Sequence, residues 1–162
     1  VTHDQAEALA LSDRIAVLHL GHLQQYGPPR VVYTRPANRI VADFMGTINL
    51  IAGTIVLGPP SGVELAAGRV ADVPVPESLA NGAAVLLAVR PENIRLARDG
   101  DDQAIPGQVE EATFLGNTAD YVVAIEGAHL RVQTHPTETF QVGESVAVRL
   151  DGPHCTVVAD PG

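Results

Sequence analysis

The sequence predicts a mainly β protein, a small barrel or sandwich of short strands preceded by a short α/β arm. Two observations carry this. Up to residue 46 short helical patterns alternate with one pair of strands, whereas beyond it nearly every segment reads as strand between Gly, Pro or Asn turns. Period-two alternation is also clear in Leu130-Arg131-Val132-Gln133-Thr134 and Val146-Ala147-Val148-Arg149-Leu150. The change of pattern places a boundary at Gly46-Thr47, giving an arm of residues 1–46 and a β-domain of residues 47–162.

Within the arm, Ala6, Ala8, Leu9 and Leu11 lie among good helix formers and Asp4 is suited to cap them, so residues 4–11 are expected to be a helix. Arg14 to Leu20 is almost continuously apolar, the pattern of a strand buried on both faces. Gly21-His22 should turn it into Leu23 to Tyr26, which stops at Gly27-Pro28-Pro29. Two short helices follow, Arg30 to Tyr33 and Asn38 to Met45, the second with Ile40, Val41, Phe44 and Met45 on one stripe. A doubly buried strand needs neighbours that the arm does not supply.

In the β-domain, further strands are expected at Ile51 to Leu57, Val85 to Val89, Thr113 to Leu115 and Tyr121 to Ile125. Turns are expected at Gly58-Pro59-Pro60, Asn81-Gly82, Gly116-Asn117, Glu126-Gly127 and Gly143-Glu144. Val70 to Gly82, with Pro74 and Pro76, reads as a loop or an edge. Strands of this size and spacing favour an OB-like barrel.

Composition excludes several function classes. No run approaches the roughly 20 apolar residues of a bilayer span, and the opening VTHDQAEALALSD lacks the cationic start of a signal peptide. A soluble chain is expected. The formal charge is −9 and all ten basic residues are arginine, so no lysine is available for a phosphate-binding loop. With 4% aromatic residues and no basic stripe, a nucleic acid is not expected as a partner. Cys155 is alone and reads as a strand residue near the carboxy terminus.

The most informative string is Val1-Thr2-His3-Asp4-Gln5-Ala6-Glu7-Ala8, followed by Ser12-Asp13-Arg14-Ile15-Ala16-Val17-Leu18. A lone histidine at a helix start is ordinarily a surface or capping neighbour. The whole string, however, resembles the switch-histidine loop of ABC ATPases and the strand after it. Gly21 to Pro29, Val32 to Asn38 and Val41 to Gly46 are similar to the end of the ATPase subunits of the sugar, polyamine, ferric-iron and phosphonate importers. Val89-Arg90-Pro91-Glu92-Asn93-Ile94 and Phe114-Leu115-Gly116-Asn117-Thr118, with Tyr121, resemble two segments of that group's transport-associated OB (TOBE) regulatory domain.

The resemblance implies a carboxy-terminal piece of an ABC importer ATP-binding subunit. It makes His3 the one catalytic and nucleotide-binding residue present, touching the γ-phosphate of ATP and helping to hold the attacking water. Imidazole suits that work because one nitrogen donates while the other is oriented by a neighbour. The phosphate loop, the Leu-Ser-Gly-Gly-Gln signature and the magnesium-linked aspartate with its catalytic glutamate do not occur in these residues. ATP and magnesium are therefore expected for the intact parent, and neither cofactor nor catalysis for the fragment. A permease and a solute-binding protein are the implied partners, at the cytoplasmic face of the membrane. An unpaired strand edge further predicts a homodimer, with arm exchange through residues 14–26. The alternative is a free-standing OB-type domain that binds a small oxyanion such as molybdate.

Other candidates are weaker. Arg90-Pro91-Glu92 could clamp a ligand, but a proline-fixed turn holding a structural ion pair is the simpler reading. Glu110 and Glu111 should point to opposite faces of a strand and so not converge on a substrate. His129, His135 and His154 are too scattered to suggest a metal site.

Overall fold

The computed structural model describes residues 1–100 and 102–159, so position 101 and the last three residues of the expected β-domain lie outside it. The arm opens with α1 (Gln5–Leu11), whose N-cap Asp4 accepts a hydrogen bond from the Glu7 amide at 2.9 Å. Strands β1 (Ile15–His19) and β2 (His22–Gly27) then form an antiparallel hairpin about Leu20-Gly21, both with positive φ. Helices α2 (Pro29–Thr34) and α3 (Arg39–Phe44) complete the arm, and the Asn38 side chain caps α3 through the Val41 amide at 3.0 Å. A small cluster of Ile15, Val17, Val32, Val41 and Met45 binds these pieces together.

Two arm expectations fail. β1 is buried on one face only, because its sheet has two strands and the helices cover a single side; Ile15 and Val17 point inward, while Ala16, Leu18 and His19 are exposed. The stripe of α3 is likewise rotated. Val41, Ala42 and Met45 are buried, whereas Ile40 and Phe44 face solvent.

The β-domain consists of two five-stranded antiparallel sheets. One holds β3 (Asn49–Val56), β4 (Gly62–Leu65), β5 (Gly68–Ala71), β6 (Ala84–Val89) and β12 (Thr156–Ala159), in the order β12-β6-β3-β4-β5. The other holds β7 (Ile94–Ala97), β8 (Ile105–Phe114), β9 (Ala119–Ile125), β10 (Ala128–Thr134) and β11 (Ser145–Leu150), in the order β10-β9-β8-β11-β7. Both contribute their inward positions to one core, including Ile51, Ile55 and Leu87 from the first and Val123, Leu130 and Val148 from the second. Burial of that many aliphatic side chains, at ~1.5–3 kcal/mol each, is the main force holding the sheets face to face.

Asn49 is a polar side chain in this core. It stands at an inward position of β3, on the parity of Ile51 and Ile55, and is 6% exposed. Its side chain acts as a backbone surrogate between the sheets. The Nδ2 group donates to the carbonyls of Arg131 (2.8 Å) and Val89 (3.3 Å), and Oδ1 accepts from the Arg131 amide at 2.7 Å. A core amide is tolerable only with its bonds made.

Strands form where the sequence alternation is long, and short strands form as well where it is too brief to predict them. β4, β5, β7 and β12 are each four residues long, and β8 extends ten residues rather than three. β5 covers the start of the segment read as loop or edge, and it is an edge strand. Between β11 and β12, Gly152 approaches the first sheet so closely that an added Cβ would collide with the Ala71 carbonyl.

Candidate functional site: the junction of arm and β-domain

Arg90 follows β6 and precedes a 3-10 turn, Pro91–Asn93. It is 3% exposed, yet it leaves the β-domain core to reach the arm. One terminal nitrogen donates to the carbonyls of Gly46 and Thr47, both at 3.0 Å, and the other to the Tyr33 carbonyl at 3.0 Å. The guanidinium also lies over the Tyr33 ring, 4.1 Å from its centroid. Gly46, between α3 and β3, has φ +102°, a conformation that suits glycine and turns its carbonyl to the guanidinium.

The Tyr33 hydroxyl donates to Glu92 at 2.8 Å, so one arginine and one carboxylate of the turn hold the same tyrosine at its two ends. Burial, followed by the bond and charge of Glu92, raises the Tyr33 pKa against the opposing effect of Arg90. Burial lowers that of Arg90, opposed by Tyr33 and Glu92. Among the described residues Arg90 Nε is buried without a hydrogen-bond partner, so the junction fixes the guanidinium through its two terminal nitrogens and the ring. A further tie joins Thr156 Oγ1 to the Thr34 carbonyl at 3.1 Å.

These contacts correct the expected ion pair within Arg90-Pro91-Glu92. The turn forms, but the two charges do not bridge each other; each is turned to the arm. The sequence signal was the proline. It begins the turn that follows β6 and Arg90, and so aims that side chain out of the ladder, although its partner, Tyr33, lies 57 positions away.

Beside the junction is a cleft of about 440 Å³ bounded by Tyr33, Glu92, Glu111, Asp120, Tyr121 and Arg131. Three carboxylates against one arginine make it an environment for cations rather than anions. Gln133 Nε2 donates to Asp120 at 3.0 Å, and Tyr121 is held by the Glu138 carbonyl at 3.0 Å and edge-on to Phe140.

Glu110 and Glu111 diverge, helped by a bulge in β8: Glu110 approaches His129 Nε2 at 3.3 Å, while Glu111 lines the cleft. His154 Nδ1 contacts Asp151 at 2.8 Å, and His135 Nδ1 contacts Thr137 at 2.8 Å. Among the described residues no group of three His, Cys, Asp or Glu side chains is placed to hold a metal, and no helix is long and apolar enough to cross a membrane. Cys155 is buried, and desolvation, with Asp151 nearby, pushes its thiol up to about 12.

His3 stands exposed just before α1, without a hydrogen-bond partner among the described residues. Its neighbours are engaged locally. Thr2 donates to Glu7 at 2.7 Å and accepts from the Asp4 amide at 3.0 Å. The imidazole is thus open to solvent.

Comparison with known proteins bears on both parts together. The TOBE domain family model matches residues 87–158. A spermidine/putrescine import ATP-binding protein, PotA, of Rubrobacter xylanophilus is 39% identical over 166 aligned residues, covering 98% of this chain and 44% of that protein. The PotA of Ruegeria pomeroyi is 39% identical, covering 99% and 45%. The chain therefore spans less than half the length of these curated relatives. Among solved structures, the cytoplasmic molybdate-binding protein ModG has the same fold, with a TM-score of 0.59 at 18% identity over 69% of this chain and 96% of that one. The match takes in the arm with its His3 string as well as the β-domain: residues 87–158 match the TOBE domain, and nearly the whole chain is similar to the TOBE-bearing carboxy-terminal part of ABC importer ATP-binding subunits.

Proposed function

We propose that residues 1–46 are the closing segment of a nucleotide-binding domain and residues 47–162 its regulatory β-domain. The intact subunit couples ATP hydrolysis to uptake of a solute, with a permease and a solute-binding protein as partners at the inner face of the membrane. The relatives' names make a polyamine the first solute class to test. In that subunit His3 donates to the γ-phosphate, while the remaining nucleotide and magnesium contacts come from other segments. The 162 residues alone neither hold nor hydrolyse ATP.

The observation that carries this reading is the similarity running continuously through arm and β-domain. It also disfavours a free-standing oxyanion-binding domain, because such a domain has no use for the arm, and the cleft beside Tyr33 is acidic. The hairpin offers an apolar outer face, with Leu18, Leu20, Leu23 and Tyr26 exposed. That face supports a homodimer through residues 14–26 when nothing else covers it.

ATP turnover tests the proposal. The chain alone should show none, and joining it to an upstream core that carries a phosphate loop should give turnover that His3→Ala abolishes. Turnover by the isolated chain would overturn it.

A further inference from the structure

We propose that a groove between the arm and the β-domain docks an extended acidic segment of a partner protein. The groove has a volume of about 540 Å³, and Arg30, Thr34 and Arg35, on α2 and at its end, form one wall. The β-domain supplies the other: Pro74, Val75 and Pro76 from the connection between β5 and β6, and Pro153 and His154 from the short turn before β12. The hydrogen bond from Thr156 Oγ1 to the Thr34 carbonyl ties the two walls together.

Charge identifies the occupant. Arg30 and Arg35 are exposed, and neither guanidinium has a partner among the described residues. Elsewhere Arg14 lies over the Tyr26 ring, Arg39 meets Asp43, Arg69 donates to a carbonyl and Arg98 meets Glu144. Among the described residues no Asp or Glu lines the groove; Asp151 stands outside the lining, turned to His154 Nδ1 at 2.8 Å, and Glu77 follows Pro76 without bordering it. The cleft beside Tyr33 carries three carboxylates, so the two clefts at the junction attract opposite partners. Open guanidinium forks pair with carboxylates through parallel N–H donors, and arginine clusters are a recurrent device for reading acidic motifs. The rest of the lining selects a protein segment. Pro74, Val75, Pro76 and Pro153 give a hydrated ion nothing to bond with their side chains, but they cover apolar side chains of a docked chain. Asn93, half-buried in the lining and without a side-chain partner among the described residues, can bond a peptide backbone. No aromatic residue lines the groove to stack a base, and the formal charge of −9 repels a polyanion.

Fluorescence anisotropy of the chain with a labelled eight-residue peptide of alternating aspartate and valine tests the groove. Binding should be saturable, and a peptide with asparagine for aspartate should bind at least ~10-fold more weakly. Arg30→Gln and Arg35→Gln should each weaken the aspartate peptide about fivefold, whereas Arg39→Gln, on α3 outside the groove, should not. Both arginines are exposed, so the variants should unfold at the parent's midpoint. Reversing both charges, Arg30→Glu with Arg35→Glu, should transfer the preference to a peptide with lysine in place of aspartate. These results together support the docking groove. Absence of saturable binding, aspartate-peptide binding unchanged by the double reversal, or octathymidylate bound as tightly through the same arginines, overturns it. Docking and ATP turnover are read separately, so either can fail without the other.

Discussion

The guanidinium of Arg90 lies 4.1 Å above the ring of Tyr33, joining the β-domain to the arm across a buried contact. A charge this buried is held by the three carbonyls that accept from it, two of them on the connecting residues Gly46 and Thr47. Arg90→Ala should therefore cost ~2–4 kcal/mol in denaturant unfolding. It should also open the chain to proteolysis near residues 46–47 before the β-domain unfolds. Arg90→Lys should recover less than half of the loss, because an ammonium lacks the planar fork and stacks less well on a ring. An alanine variant as stable as the parent would show that the contact does not join the two parts.

Asn49 provides the corresponding tie between the two sheets. Asn49→Ala would leave the Arg131 amide and two carbonyls unsatisfied in the core, a loss of ~2–3 kcal/mol. Asn49→Asp should be worse near neutral pH, since a carboxylate oxygen would replace the donor that now faces the Val89 and Arg131 carbonyls. Urea unfolding midpoints of the two variants check the order, and an aspartate variant more stable than the alanine one would refute it.

These two residues mark the limit of what the sequence made legible. The long alternating strands were readable because each places every second residue in the core, as in Leu130, Val132 and Thr134. Asn49 breaks its own strand's apolar parity, which signals an unusual position but not its partner 82 positions away. The short strands β4 and β5 are not legible because Gly62 and Gly68 resemble turn residues there, although Gly62 is glycine because its backbone packs against the Val70 carbonyl. His3 was legible only as part of a string; by geometry it is an exposed imidazole. The junction required the arm and β-domain to be placed together, which no local pattern encodes.

Gly152 is a packing constraint of the same kind. A methyl group there would overlap the Ala71 carbonyl and press on the backbone of Asp72. Both contacts are main chain, which cannot swing aside as a side chain would. Gly152→Ala should cost ~2–3 kcal/mol by overpacking, measured as a lowered unfolding midpoint. Substitution at Gly116, whose Cβ would meet nothing within 4 Å, should instead carry only the cost of its positive φ.

The outer face of the hairpin offers a test of assembly. Leu18 and Leu23 are register partners and both are exposed. If this face pairs two chains, light scattering should give a dimer, and Leu18→Glu should return a monomer with its fold intact, since Leu18 adds nothing to the arm cluster. A monomeric parent at micromolar concentration would count against arm exchange.

Cys155 gives the stability a defined alkaline limb. Its thiol, moved from 9.0 to about 12 by burial and secondarily by Asp151, keeps its proton in the folded chain after the unfolded chain has lost it. The sign follows from the raised value: the contribution is complete below pH 9 and is lost progressively as pH rises toward 12. At pH 10.5 the group should have removed roughly 2 kcal/mol of stability, from 2.303RT per pH unit. Cys155→Ala should flatten that limb while adding a constant packing loss at neutral pH. Guanidinium unfolding at pH 8 and pH 10.5 resolves the two effects, because only the ionisation changes with pH. The same burial should make the native thiol slow toward a disulfide reagent and fast once the chain unfolds. An unchanged alkaline limb in the alanine variant, or rapid labelling of the folded chain, would show that the thiol is not shielded as the structure places it.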